Sequence, residues 1–423
     1  GTQYPTLVVK QDGSELDNII YIASGANHML AVDANGNVWS WGGNDRYQLG
    51  RGELNINNGS VVGVNSNVAA LVMMEDDRGN QSPLAGIIQV TAGGRFSLAL
   101  DKDGHIWSWG DNSRGQLGVG VASDELGAQS VAKQVQASAT SSLNPFSEAV
   151  DIDAGGLPST ENMIENNTYL GHAAALKAGQ GENEVSLWGW GTNISGESGL
   201  NNTGINADVL GPVTMGWGNT AIAEGDRMIG VSVNASNTVV STLKGIAYGW
   251  GSNDYGQMAQ GLNSTGAKTV ATRYLSAEGE TLTGVASAVM GNNFTVIIKE
   301  DGTVYSVGSN DGSQLGIGQE SGTRGRDYPV RTGDDVSQEL MFNKVIVYTQ
   351  EVDEETGEII PGTAVPSDRY ASQLGVYDYN RDAGKPEGAL REKQLLNITS
   401  ITDLQYVIIY KEGLSRFFSV RFN

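Results

Sequence analysis

Residues 22–50 read IASGANHMLAVDANGNVWSWGGNDRYQLG, and residues 90–118 read VTAGGRFSLALDKDGHIWSWGDNSRGQLG. Gly25 falls on Gly93, Gly36 on Gly104, Trp41 on Trp109 and Gly50 on Gly118, all by one offset of 68 residues. One offset serving four fixed points is an internal repeat, and a unit this short cannot bury its apolar faces without a neighbour. The pattern returns at Leu187–Asn193, at Ala247–Asn253 with Tyr255-Gly256-Gln257, and at Val304–Asn310 with Gln314-Leu315-Gly316. Two degenerate units follow, one around Lys344–Tyr348 and Ser367–Gly375, the other over Tyr406–Asn423.

Each unit reads as a small antiparallel sheet. Apolar alternation in His28–Val32 and Ser97–Leu100 gives a strand, and Asn35-Gly36, Asp103-Gly104 and Asp301-Gly302 supply the positive φ angles of a tight hairpin. Val38-Trp39-Ser40-Trp41 then returns, with aromatic side chains to fill the space between neighbouring sheets. Stacking such sheets in a ring removes their unpaired edges. The reading is all-β: a single closed β-propeller over residues 1–423, with seven blades of four-stranded antiparallel sheets. Blade cores are expected at 21–52, 88–120, 150–200, 229–261, 285–318, 340–377 and 398–423. Residues 1–20 resemble an outer strand without inner ones, so the N-terminal segment is expected to complete the C-terminal blade.

The repeat Ala-Gly…Asp-Gly-x-Val-Trp-Ser-Trp-Gly-x-Asn-x-x-Gly-Gln-Leu-Gly resembles the regulator-of-chromosome-condensation family, strongly over residues 22–318 and weakly beyond. The resemblance implies a propeller serving as a binding platform. Propellers of this type include exchange factors, ubiquitin-ligase modules, photoreceptors and a secreted β-lactamase inhibitor. No motif of the exchange factors maps onto this chain residue by residue.

Composition narrows the partners. Lys and Arg number 26 against 48 Asp and Glu, a net charge of −22, which repels phosphate backbones; no nucleic acid is expected. No apolar stretch reaches the length of a membrane-spanning helix, so no membrane insertion is expected. The chain has no Cys, which excludes disulfides and thiolate chemistry. Low Lys and Asn-x-Ser/Thr triplets at Asn58, Asn234, Asn263, Asn293 and Asn397 fit an extracellular or cell-surface protein. The Gly1 start without Met fits excision from something longer.

No catalytic residue, cofactor or metal site is expected. His28 lies on a repeat strand as a hydrogen-bonded core imidazole, His172 resembles it, and His105 follows a hairpin turn. Asp76-Asp77, Asp124-Glu125, Asp151/Asp153 and Glu351–Glu358 are read as solvated loop carboxylates, and Asp33–Asn37 as turn chemistry, not a calcium loop. Insertions at about 53–86, 121–148, 157–168, 201–228, 262–284 and 319–340 are expected to be loops, the usual place for binding residues. Candidate binding residues are Trp217, outside the repeat positions, and Arg46, Tyr47, Arg114 and Tyr255, which vary at matching places before Gln-Leu-Gly and should ring one face. The expected function is protein–protein recognition of a basic partner surface. The alternatives are a structural module of a larger surface protein, adhesin or appendage that self-assembles, and an enzyme acting on polysaccharide.

Overall fold

A computed structural model describes residues 6–349 apart from 53, 58–59, 76–77, 120–126, 138–143, 157–170, 180–183, 205–208, 216–221, 223–225, 235, 262–263, 318–325 and 332–343; beyond 349 it describes 365–366, 406–411 and 414–418. Blade 1 is built from β1 (Ile19–Ser24), β2 (His28–Asp33) and β3 (Val38–Gly42). A hairpin, β4 (Leu54–Asn57) and β5 (Ser60–Gly63), precedes its outer strand β6 (Ser66–Leu71). A second hairpin, β7 (Met73–Glu75) and β8 (Gln81–Pro83), leads into blade 2: β9 (Ile87–Ala92), β10 (Phe96–Asp101), β11 (Ile106–Gly110) and β12 (Gln129–Gln134).

Blade 3 is β13 (Ala149–Gly156), β14 (Gly171–Ala178), β15 (Val185–Gly191) and β16 (Val209–Thr214). Blade 4 is β17 (Met228–Asn234), β18 (Asn237–Thr242), β19 (Ala247–Gly251) and β20 (Lys268–Arg273). Blade 5 is β21 (Val285–Gly291), β22 (Phe294–Lys299), β23 (Val304–Gly308) and β24 (Arg326–Arg331). All five run antiparallel in chain order from an inner to an outer strand, and the inner strands β1, β9, β13, β17 and β21 lie side by side in sequence.

A sixth sheet has another connectivity. It is formed by β25 (Lys344–Thr349), β26 (Val365–Pro366), β27 (Tyr406–Lys411) and β28 (Leu414–Phe418) in the order β26-β25-β27-β28. Residues 344–349 and 406–411, expected in separate blades, pair antiparallel in one sheet. The described residues thus form six blade-sized sheets.

Two expectations need correction. The N-terminal segment runs along blade 1: Lys10 bridges Ala69 of β6 in parallel, and Ala69 exchanges main-chain hydrogen bonds with Val9 and Gln11. The open edge of an outer strand offers unpaired N–H and C=O groups, and the nearby chain takes them up. Secondly, residues 66–71, 129–134, 209–214, 268–273 and 326–331 fall within segments read as insertion loops, yet each is a fourth strand. These strands carry neither the hairpin turn nor the Trp-Gly signature that marks the inner three. The hairpin β7–β8 also reaches sideways, with β7 pairing in parallel with β12 and Glu75 bridging Lys133 at 2.9 Å.

The core lies between blades. Leu30, Val32 and Val38 of blade 1 pack against Val90, Ala99 and Trp109 of blade 2, and Leu98, Leu100 and Ile106 of blade 2 against Ile152, Ala173 and Trp190 of blade 3. Glycine is needed where adjacent inner strands crowd. A Cβ on Gly155 would lie 2.4 Å from the backbone of Asn234, and one on Gly25 would lie 2.5 Å from the carbonyl of Gly93. Among the described residues no helix is long and apolar enough to cross a membrane.

Candidate functional site

The signature that ends each unit is consumed by hydrogen bonds that build one face. In blade 1 the Asn44 side-chain oxygen accepts from the Leu49 amide (2.9 Å), Ser40 Oγ donates to the Leu49 carbonyl (2.7 Å), and Gln48 Oε1 accepts from the Arg46 amide (2.8 Å). Asn112, Ser108 and Gln116 repeat these bonds in blade 2, as do Asn310, Ser306 and Gln314 in blade 5. The turn is therefore fixed by its own side chains.

The same turn then clamps the next blade. The Gln48 carbonyl accepts from Trp109 Nε1 (2.9 Å) and Ser97 Oγ (3.1 Å), the Gln116 carbonyl from Trp190 Nε1 (2.9 Å), and the Glu197 carbonyl from Trp250 Nε1 (2.7 Å) and Thr238 Oγ1 (3.0 Å). A Thr295 hydroxyl closes the series on the Gln257 carbonyl at 2.9 Å. Five turns thus follow one another around one face. The other Trp of each pair works locally: Trp39 and Trp107 donate to Asp33 and Asp101, whose carboxylates also accept the hairpin amides of Asn35 and Asn37 or of Asp103 and His105. Asp33–Asn37 is turn chemistry, as read from the sequence.

Between the Asn and Gln of each turn lie positions that the framework leaves free to vary. Asp45 and Arg46 occupy them in blade 1, Ser113 and Arg114 in blade 2, Ile194 and Ser195 in blade 3, Asp254 and Tyr255 in blade 4, and Asp311 and Gly312 in blade 5. Arg46, Tyr47, Arg114 and Tyr255 are all half-buried on this face. Arg46 reaches the next blade, where it lies in the field of the buried Asp111. Arg95, from the loop before β10, pairs with Asp45. Trp217 lies outside the described residues.

Tyr47 has φ +64°, where Gly115, Gly196 and Gly256 stand in blades 2, 3 and 4 and Ser313 in blade 5. A left-handed backbone costs a non-glycine residue roughly 1–2 kcal/mol. Blade 1 carries that cost at a position where three sister turns avoid it.

Asp151 and Asp153 are not loop residues. They alternate on β13 and bridge three inner strands. Asp151 accepts from Gln89 Nε2 (2.9 Å) and the Val231 amide (3.3 Å); Asp153 accepts from Thr91 Oγ1 (2.8 Å) and the Val233 amide (2.7 Å). Burial pushes both carboxyls up, Asp151 to about 6, and Tyr21, at the head of the Gln89–Asp151 row, is raised above the ordinary phenol by burial and by the same two carboxylates. The alternation in Ala149-Val150-Asp151-Ile152-Asp153-Ala154 signals a strand, and it was there to be read. Asp76-Asp77, Asp124-Glu125 and Glu351–Glu358 lie outside the described residues. Among the described residues no group of three or more His, Asp or Glu is placed to hold a metal ion.

His28 and His172 are core imidazoles. His28 Nε2 lies 2.9 Å from Ser97 Oγ, whose own proton goes to the Gln48 carbonyl, so Nε2 donates; His172 is placed in the same way on Thr238. Burial holds the His28 imidazole down at about 4. The unfolded chain binds a proton near pH 6.5 that the native state refuses, so stability is full above that pH and falls as pH drops towards 4, by on the order of 3 kcal/mol. Phe96 and Phe294 fill the equivalent position in blades 2 and 5. His28→Phe is therefore expected to change stability little at pH 7 and to remove most of that acid-side loss, measured by urea denaturation from pH 4 to 7.

Two models of the regulator of chromosome condensation (RCC1) repeat match the chain, one over residues 19–48, 87–116 and 285–314, the other over 35–100 and 103–155. The chain is 27% identical over 237 residues to the probable E3 ubiquitin-protein ligase HERC6 of Homo sapiens, a match covering 56% of this chain and 18% of that protein. It is 25% identical over 362 residues to the ultraviolet-B receptor UVR8 of Arabidopsis thaliana, covering 74% of this chain and 70% of the receptor. The chain thus spans less than a fifth of the ligase. Among solved structures, human WBSCR16 aligns with a TM-score of 0.54 and 21% identity over 75% of this chain and 67% of that one, a likeness of fold.

Proposed function

The chain carries regulator-of-chromosome-condensation repeats, and from that premise we propose that it is a binding scaffold that recognises a protein partner through the face bearing the five turns. One observation carries this reading. The residues shared from turn to turn spend their hydrogen bonds on holding the blades together, while the residues that differ, Arg46, Tyr47, Arg114, Ile194, Tyr255 and Asp311, sit between them on the same face. A rigid frame with variable tips is the physical arrangement of a recognition surface. Arg and Tyr are common interface anchors because they combine area with polar ends.

The proposal extends to a closed ring. Blade 2 presents Val90, Ala99 and Trp109 to blade 1, and the counterparts in blade 1 are Ile22, Ala31 and Trp41. Ile22 is 59% exposed and Trp41 half-buried, a flank suited to a further blade supplied from the C-terminal residues. The repeat units of the sequence suggest seven blades, while the described residues form six blade-sized sheets, the last joining residues 344–349 and 406–411 of the two degenerate units. The low Lys content and the Asn-x-Ser/Thr triplets support work outside the cell or at its surface.

Affinity capture with the purified chain against surface and secreted proteins of its source, eluted by a salt gradient, tests the reading. A single protein partner released at moderate salt is expected, because ionic contacts on an acidic chain weaken with screening. Recovery of only further copies of the chain would replace recognition with a structural module; glycan cleavage by the eluate-free protein would replace it with an enzyme.

A further inference from the structure

Between its turn and its outer strand, blade 1 carries an element that the other blades lack among the described residues. β4 (Leu54–Asn57) and β5 (Ser60–Gly63) pair with each other as a two-stranded sheet, and among the described residues no further strand joins either edge. The feet of this hairpin are fixed to the turn face. The Gly52 amide donates to the Ser130 carbonyl of β12 (2.8 Å), the Asn44 side chain donates to the Val64 carbonyl (3.2 Å), and the Asn44 amide donates to Asn65 Oδ1 (2.7 Å). A two-stranded hairpin alone in water is marginal, so this rooted one gains stability from any further strand.

Its register says which groups such a strand would meet. Asn57 pairs with Ser60, Ile56 with Val61, Asn55 with Val62 and Leu54 with Gly63. With two residues between Asn57 and Ser60, that closing pair exchanges both main-chain bonds, and alternation along an antiparallel ladder makes Asn55 and Val62 the next bonded pair. The amides and carbonyls of Leu54, Ile56, Val61 and Gly63 therefore point outward along the two edges. None of the usual guards stands there: residues 54–63 contain no Lys, no Pro and no charge of either sign.

The identity of the added strand follows from charge. Residues 54–74 form the longest stretch of the chain without Asp, Glu, Lys or Arg, in a molecule of net charge −22. A basic partner gains nothing from such a surface. A second copy of the chain, repelled wherever its carboxylates face those of its neighbour, meets least resistance here. An antiparallel edge is also its own complement across a two-fold axis. Leu54, Ile56 and Val61 share one face of the hairpin by register, so pairing two hairpins joins two apolar faces. We infer that two copies of the chain associate by antiparallel edge-to-edge pairing of this hairpin, forming one four-stranded sheet. The inference concerns a second copy and not the partner of the five turns, so the two stand or fall separately.

Sedimentation velocity of the whole chain tests it. The contact is small, so a weak dimer is expected, monomeric at about 1 µM and mostly dimeric at about 200 µM. Raising the salt from about 50 mM to about 500 mM should strengthen it, because screening relieves the repulsion between like chains. Ile56→Pro and Val61→Pro each delete one outward N–H and leave the β4–β5 bonds in place, and the one on the paired edge should weaken the dimer at least tenfold. Ile56→Lys/Val61→Lys keeps every main-chain group, sets charge on both edges, and should leave monomer only. A wild type that is monomeric throughout, a dimer that weakens with salt, or one that survives both Pro variants or the Lys pair overturns the inference. Capture of a protein partner bears on none of these outcomes.

Discussion

Trp109→Ala is expected to cost about 3–5 kcal/mol and to lower the denaturant midpoint accordingly. Trp109 is fully buried where blade 2 meets blade 1, packed among Leu30, Val32, Val72 and Ala132, and its Nε1 donates to the Gln48 carbonyl. Alanine would leave a cavity at an inter-blade seam that neither sheet can close without moving as a whole. Trp109→Phe should cost far less, about 1 kcal/mol for the lost hydrogen bond, since the Gln48 carbonyl still receives Ser97 Oγ. Trp107, two residues earlier, is half-buried and bonded to Asp101 of its own hairpin, so Trp107→Phe should do little to the seam. Guanidinium unfolding followed by tryptophan fluorescence separates the three. Equal losses at both tryptophans would show that the inter-blade clamp is not what holds the blades together.

Asp153→Ala is expected to cost about 3 kcal/mol, because it strips a charged acceptor from the Val233 amide and the Thr91 hydroxyl at once. Both donors lie on inner strands of neighbouring blades, so one carboxylate ties blades 2, 3 and 4 together. Hydrogen exchange should show the loss as faster exchange at Val233. Asp151 adds a pH response of its own. Its carboxyl, pushed up to about 6, holds a proton in the native state over a window, roughly pH 4 to 6, where the unfolded chain has released it. Its contribution therefore favours folding at the acid end and declines as pH rises through 6, by on the order of 3 kcal/mol. This opposes the His28 effect over the same range. Asp151→Asn should steepen the acid-side loss, His28→Phe should flatten it, and melting curves from pH 4 to 7 report both.

Much of this architecture is legible in the sequence, for reasons that also mark where legibility ends. Asn-Gly and Asp-Gly turns, the Trp-Ser-Trp run and the Asn…Gln-Leu-Gly turn give the inner three strands of each blade, because each is a local device whose chemistry depends on residue type. The fourth strands carry no such device. Ser66–Leu71 and Gln129–Gln134 are specified by a partner strand already in place, and within the sequence they look like loop. The N-terminal segment misled for the same reason: an extended edge strand fits any open edge, and the one it takes is β6. At the candidate site the sequence singles out Arg46, Tyr47, Arg114 and Tyr255; Arg46, Arg114 and Tyr255 hold one matched position, and Tyr47 stands where Gly115 and Gly256 do. The left-handed backbone of Tyr47 was legible too, because Gly115, Gly196 and Gly256 hold its place in the sister turns. Asp151 and Asp153 were misread because a carboxylate on an inner strand is costly unless neighbouring blades supply donors, and those donors lie some sixty to eighty residues away in the chain.

The central claim is that the face bearing the five turns does the binding. Amide hydrogen exchange, with and without the captured partner, tests it most directly. The account predicts new protection at residues 44–48, 111–116 and 253–257, with none at the hairpins 33–37, 101–105 and 299–303. Protection confined to those hairpins, or to the outer strands, would contradict it.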